Sequence, residues 1–210
     1  MTAVVVVAKH PAPGRVKTRL HPPLSLAAAA AVAAASLDDT LAALEGFGSR
    51  RILYSDAGHP PPSASGWELL RQPGGTLDER LAALLDRLDE PMVLVGMDTP
   101  QLGPAIRPVL RPWPDDVDAW FGPALDGGFW ALGVRRPDGS LVRGIPMSRN
   151  DTGERTVGRL RSAGLRVRPL PTLSDIDGIA DLVAVARAIP ASRTAAAFAA
   201  AARSAAPAAS

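Results

Sequence analysis

The run Ala3-Val4-Val5-Val6-Val7-Ala8 contains no polar residue and gives way at once to Lys9-His10-Pro11. β-Branched side chains favour extended backbone, and a strand without polar–apolar alternation buries both of its faces. Such strands belong to parallel sheets covered by helices. Met92-Val93-Leu94-Val95-Gly96 repeats the pattern and stops as sharply at Met97-Asp98-Thr99-Pro100. Around these two runs, Ser25 to Glu45 is Ala/Leu-rich and helical by propensity, and Arg51 to Tyr54 is a short strand. Thr76 with Glu79 three residues on is a capping box for a helix to about Leu88. Ala119–Gly122 and Gly128–Val134 predict strands flanking Pro123–Gly127, an antiparallel insertion, and Arg136–Ser140 has the composition of a hairpin turn. Asp151 and Glu154 start a helix to Ala163, Leu165–Leu170 is a strand, and Ile179–Ile189 is a closing helix. Strands alternating with helices predict a three-layer α/β domain with a mainly parallel, mixed sheet.

The 210 residues suit one domain over 1–190, followed by an Ala-rich tail over 191–210, helical or disordered. There is no cysteine, which removes thiolate zinc, iron–sulfur ligation and cysteine nucleophiles and is compatible with a cytoplasmic location. Net charge is +2 and aromatics are only 4%. No basic face with interleaved stacking residues stands out, so nucleic acid is not an expected partner. No basic segment precedes Val4–Val7, as a signal peptide would require. Leu24 to Leu37 is interrupted by Ser25 and Ser36 and falls short of the roughly 20 apolar residues of a membrane span.

In open α/β sheets ligands sit beyond the carboxyl ends of the strands, so the residues after each strand matter most. The loop after the first run, Lys9 to Leu20, carries Lys9, Arg15, Lys17 and Arg19 around Gly14. Glycine permits close backbone approach and arginine offers paired donors to phosphate oxygens, so a di- or triphosphate is the natural guest; a solvated basic loop is the alternative. No Gly-Lys-Ser/Thr opens a helix here, which excludes a Walker loop. Asp98, directly after a buried strand, suits a hard divalent cation, magnesium or manganese, or is simply a turn residue. Asp126, Gly127 and Gly128 form either a substrate-lining loop or a plain Asp-Gly turn. Asp175 and Asp177 either cap the last helix or complete a metal site with Asp98. His10, His21 and His59 lack metal-ligand spacing.

Taken in order, Ala8–Leu20, Gln72–Leu81, Gly96–Leu102, Gly122–Phe129 and Asp175–Asp177 resemble the rSAM/selenodomain-associated transferase 1 family, whose members are usually labelled glycosyltransferases. The resemblance implies the glycosyltransferase-A fold of nucleotide-diphospho-sugar transferases, shared more distantly with guanylyltransferases acting on phospholactate and molybdenum cofactor. It also implies a nucleotide held by Lys9, Gly14, Arg15, Lys17, Arg19, Gly75 and Thr76. Asp98 and Asp177 would hold the metal, and Lys17, Arg19 and Asp98 would act in catalysis. Asp126, Gly127 and Gly128 would line the acceptor. Met147 stands where relatives show tryptophan, and Gly178-Ile179-Ala180 where they show Thr-Pro-Glu. Four cations exceed what an NDP-sugar's diphosphate needs beside a metal. The expected reaction is therefore nucleotidyl transfer from an NTP to a phosphorylated small molecule, with glycosyl transfer and a non-catalytic nucleotide-binding module as the alternatives.

Overall fold

The computed structural model describes residues 2–205. In chain order the strands are β1 (Ala3–Ala8), β2 (Arg51–Ser55), β3 (Glu68–Arg71), β4 (Met92–Gly96), β5 (Ala119–Pro123), β6 (Phe129–Val134) and β7 (Val167–Pro169). The helices are α1 (Leu26–Ala43), α2 (Leu77–Leu85), α3 (Gly103–Ile106), α4 (Thr152–Ser162), α5 (Ile179–Ala188) and α6 (Arg193–Ala205). One sheet runs in the order β3-β2-β1-β4-β6-β5-β7. It is parallel except for β6, which is antiparallel to both β4 and β5. The two uninterrupted apolar runs are neighbours in its centre, with Val4 opposite Val93 and Val6 opposite Val95.

Successive side chains of a strand point to opposite faces, and the core divides accordingly. Val4, Val6, Val93 and Val95 pack with Ala33, Leu37 and Leu41 of α1 and Ile106 of α3. Val5, Ile52, Leu94 and Leu132 pack on the other face with Leu81 and Leu85 of α2 and Leu160 of α4. This is the three-layer arrangement that the strand pattern predicts. Each fully buried leucine contributes about 1.5–3 kcal/mol, so two well-filled faces hold the sheet without disulfides. A third, smaller cluster lies apart from both, built from α1, α5 and α6 with Leu20 and Ile176.

Several local features differ from the sequence expectations. α1 is an 18-residue helix apolar enough to cross a membrane by length and composition, yet half of it is buried within the fold. β3 was not foreseen, because charged residues stand at both ends of Glu68-Leu69-Leu70-Arg71 and it is an edge strand. The expected hairpin at Arg136–Ser140 is a 3-10 turn over Gly139–Leu141. Asp86 fixes it by accepting from Gly139 N at 2.6 Å and pairing with Arg143 at 2.6 Å. The strand expected from Leu165 shrinks to Val167–Pro169, since Leu165 N still donates to Leu160 O at the end of α4. Of the Ala-rich tail, Arg193–Ala205 is α6, and 206–210 lie outside the described residues. Ser192 caps α6, its hydroxyl accepting from Ala195 N at 3.0 Å, and Asp39 of α1 adds to the cap by accepting from Arg193 N (3.1 Å), Thr194 N (2.7 Å) and Thr194 Oγ1 (2.7 Å).

Candidate active site

A cleft of about 630 Å³ opens beyond the carboxyl ends of β1 and β4. The loop after β1, the loop after β4, the β5–β6 turn and the segment between β7 and α5 wall it, with the β3–α2 region and the entry to α4 completing the rim. Backbone bonding continues past the two central strands, with Met97 N donating to Val7 O at 3.1 Å, so both loops leave from a rigid base. Ser36, buried in α1, donates to Met97 O at 2.7 Å and fixes the start of the Asp98 loop from below.

Lys17 adopts a left-handed conformation, φ 50°, just before the 3-10 turn Thr18–Leu20. That backbone costs a non-glycine residue about 1 kcal/mol or more and is sustained here by what the side chain does. Its ammonium, only 9% exposed, lies 2.9 Å from Asp98 Oδ2 and also donates to Ile176 O. Arg19 pairs with Asp177, both partly in solvent. Lys9 and Arg15 line the same cleft and carry no ion pair among the described residues.

The segment between β7 and α5 bonds the β5–β6 connection and the loops after β1 and β4. Leu173 bonds the β5–β6 connection in both directions, N to Pro123 O at 3.1 Å and O from Leu125 N at 3.0 Å. Gln101 Nε2 donates to Ser174 O at 2.7 Å, Thr99 Oγ1 donates to Asp175 Oδ1 at 2.7 Å, and Ile176 N donates to Asp98 O at 2.9 Å. Neither Asp175 nor Asp177 caps α5. That role falls to Asp181, which accepts from Gly178 N at 2.7 Å, leaving both earlier carboxylates turned toward the cleft they line. Burial and the negative charges of Asp98 and Asp126 push the Asp175 carboxyl up to about 6, against the opposing pull of the Thr99 hydrogen bond and the Lys17 charge.

Of the residues singled out from sequence, Lys9, Arg15, Lys17, Arg19, Asp98, Asp126, Gly128 and Asp177 line the cleft, and Gly14, Gly75, Thr76 and Gly127 do not. Gly75 (φ 111°) serves the start of α2, where a Cβ would stand 2.5 Å from the Glu79 carboxylate that accepts from Thr76 N. Gly127 (φ 86°) is pressed against the entry to α4: a Cβ there would meet Asn150 O at 2.0 Å, and its own carbonyl accepts from Gly153 N at 2.8 Å. Asp126 combines both of its sequence readings, accepting from Gly128 N at 2.8 Å as in an Asp-Gly turn while facing the cleft.

Sequence reasoning missed Gln72 and Arg80 as cleft residues. Buried Gln72 donates to Ala8 O (3.1 Å) and Tyr54 O (2.8 Å) at the ends of β1 and β2, and accepts from Arg80 at 2.7 Å. Their eight-residue separation gave no local signal. Arg149 was also missed; it lines the far side next to Ser148, which has φ 58°, and pairs with Asp151 at 3.1 Å. The cleft thus presents Lys9, Arg15, Lys17, Arg19, Arg80 and Arg149 against Asp98, Asp126, Asp175 and Asp177, an excess of positive charge around a carboxylate floor.

The model of a family described as uncharacterized proteins conserved in bacteria, DUF2064, matches residues 27–149, more than half of the chain. The chain belongs to that family. No curated protein matches it. Among solved structures, this DUF2064 member is similar to a protein from Desulfovibrio desulfuricans G20 provisionally classed as a nucleotide-diphospho-sugar transferase, with 26% identity, a TM-score of 0.77 and 94% of each chain covered. It also resembles the inositol-1-phosphate CTP transferase from T. maritima in fold, with 10% identity, a TM-score of 0.55, and 86% of this chain and 91% of that one covered. The nucleotide-diphospho-sugar transferase fold expected from the sequence is therefore the fold of this DUF2064 protein.

Proposed function

We propose that this chain is a metal-dependent transferase that binds an activated nucleotide in the cleft and transfers its nucleotidyl group from an NTP to a phosphorylated small molecule. An acceptor phosphate oxygen attacks the α-phosphorus, the bond to the bridging oxygen breaks, and pyrophosphate leaves. The observation that carries the reading is the free charge of Lys9 and Arg15 beside the paired Lys17 and Arg19. Two unspent cations next to two exchangeable ones suit a triphosphate whose departing pyrophosphate needs preorganised donors. The names of the two solved relatives, a nucleotide-diphospho-sugar transferase and a CTP transferase, support an enzyme acting on a nucleotide.

The donor set fits magnesium or manganese, since the floor offers only hard carboxylate oxygens. Among the described residues no three metal-ligating side chains cluster tightly enough to hold an ion alone. Magnesium is commonly held by one or two carboxylates plus substrate phosphates, so Asp98 with Asp177 would hold it jointly with the nucleotide. When bound, the metal neutralises charge on the leaving group. The protein's own part is to orient: Lys17 and Arg19 release their aspartates and turn to phosphate oxygens, and Asp126 and Gly128 line the acceptor side. We also assign the chain to the rSAM/selenodomain-associated transferases on its motifs, read 1–190 as its one nucleotide-binding domain, and take its location to be cytoplasmic.

A second reading, glycosyl transfer from an NDP-sugar, is favoured by the relative that is 26% identical. Incubation with each NTP, magnesium and a panel of phosphorylated acceptors separates the two. Pyrophosphate release is the expected result; NDP release from nucleotide-sugars without pyrophosphate establishes the second reading instead. Nucleotide-induced thermal stabilisation with no product in either panel would make the chain a binding module.

A further inference from the structure

Ile176 is an apolar residue between two cleft aspartates, and its three parts do three different things. Its N–H donates to Asp98 O at 2.9 Å. Its carbonyl accepts from the Lys17 ammonium. Its side chain, fully buried, enters neither face of the sheet but joins the third apolar cluster. Leu20, the residue after Arg19 and also fully buried, enters the same cluster. The loop bearing Lys17 and Arg19 and the segment bearing Asp175 and Asp177 are thus rooted in one small core. Its remaining walls come from α1, α5 and α6, with Ala201 buried and Phe198 packed at its edge.

We propose that Ile176 is the positioning residue of the cleft, and that the C-terminal helix α6, by closing the cluster around it, sets the geometry of the polyphosphate-binding loop. Apolar packing is stiff and transmits displacement, whereas the Arg19–Asp177 pair lies in solvent and fixes little by itself, and the Lys17 ammonium, itself buried, pairs with an Asp98 carboxylate that is partly in solvent. The peg therefore holds the Ile176 carbonyl that the Lys17 ammonium bonds, and with it Lys17 over Asp98. The sheet cores share no residue with this cluster, so loosening α6 opens the cleft locally while the sheet stays folded. The role assigned to Ile176 rests on the polyphosphate reading only for its consequence in binding, not for its consequence in local order.

The test uses the full chain as wild type, Ile176→Ala, Ile176→Val and Phe198→Ala, with two readouts. Amide hydrogen exchange is followed in residues 15–20, 173–178, β1 and β4, and affinity for inorganic tripolyphosphate with manganese is measured by calorimetry. Exchange in 15–20 and 173–178 is expected to rise about tenfold in the Ala variants, with β1 and β4 unchanged. Tripolyphosphate affinity falls about tenfold with it, and Ile176→Val, which keeps the β-branched peg, restores both. If Phe198→Ala speeds exchange in α6 alone and leaves both charged segments and affinity at wild-type values, the proposal is overturned. Failure of Ile176→Ala to fold leaves the decision to Phe198→Ala. A wild-type chain that ignores tripolyphosphate contradicts the polyphosphate reading, and the exchange data then decide the positioning role alone.

Discussion

The two faces of the central sheet and the small cluster around Ile176 are both dry and apolar, yet they hold different things. The sheet faces are built from strands and the helices packed directly on them, so their side chains fix the fold. The small cluster contains no strand residue; it joins the ends of two charged loops to helices at the edge of the molecule. Damage to the first lowers the stability of the whole. Damage to the second spoils the site, because the residues that carry charge are the sequence neighbours of those that carry the packing.

The largest expected effect tests the first half of that contrast. Leu132→Ala in β6, fully buried on the sheet, should lower unfolding free energy by about 2–5 kcal/mol, with urea transitions by fluorescence and circular dichroism remaining coincident. A smaller loss accompanied by separated transitions would mean that the sheet does not unfold as one unit.

Asp175 sits at the joint between the two regions. Its folded carboxyl is pushed up to about 6, against about 3.9 in an unfolded chain. The folded state therefore binds the extra proton between those values, and in metal-free protein this group's contribution to stability falls as pH rises from about 4 through about 6. Asp175→Asn keeps an oxygen for the Thr99 hydroxyl and removes the charge. It should flatten that slope and stabilise the metal-free protein above pH 6 by up to about 3 kcal/mol, read from urea titrations at pH 5 and pH 7.5. An unchanged slope would show the carboxylate to be well solvated.

Asp39→Ala, which removes the three hydrogen bonds that Asp39 accepts at the start of α6 and leaves the Ser192 cap, has the smallest global effect, about 1 kcal/mol. It should still raise exchange in residues 173–178, and Asp39→Asn, which keeps a capping oxygen, should recover most of the protection. Equal protection in all three proteins would sever α6 from the site.

How much of this the sequence disclosed depends on how local each signal is. The central strands and the cations after β1 were legible because polar residues follow directly on buried runs, and Asp98 stood out for the same reason. The antiparallel β6 was announced by its Asp-Gly turn. Asp175 and Asp177 were visible as a pair, but their freedom rests on Asp181 taking the cap of α5, a competition among neighbouring carboxylates that side-chain orientation decides. The glycines misled in another way: Gly127 is required by close packing against the Asn150 backbone and Gly75 by its positive φ beside the Glu79 carboxylate, which in sequence looks the same as a glycine kept bare for a ligand. Gln72 with the ends of β1 and β2, and Ile176 with α6, depend on contacts between distant segments that no spacing rule reports.

The central claim is that the cationic loop and Asp98 grip one metal-bound polyphosphate. Electron paramagnetic resonance of manganese titrated into wild-type and Asp98→Asn protein with tripolyphosphate present tests it directly. The account predicts a protein-bound manganese signal that requires tripolyphosphate and is lost in Asp98→Asn while the fold is retained. Equal manganese binding by both proteins, or binding indifferent to tripolyphosphate, would contradict it.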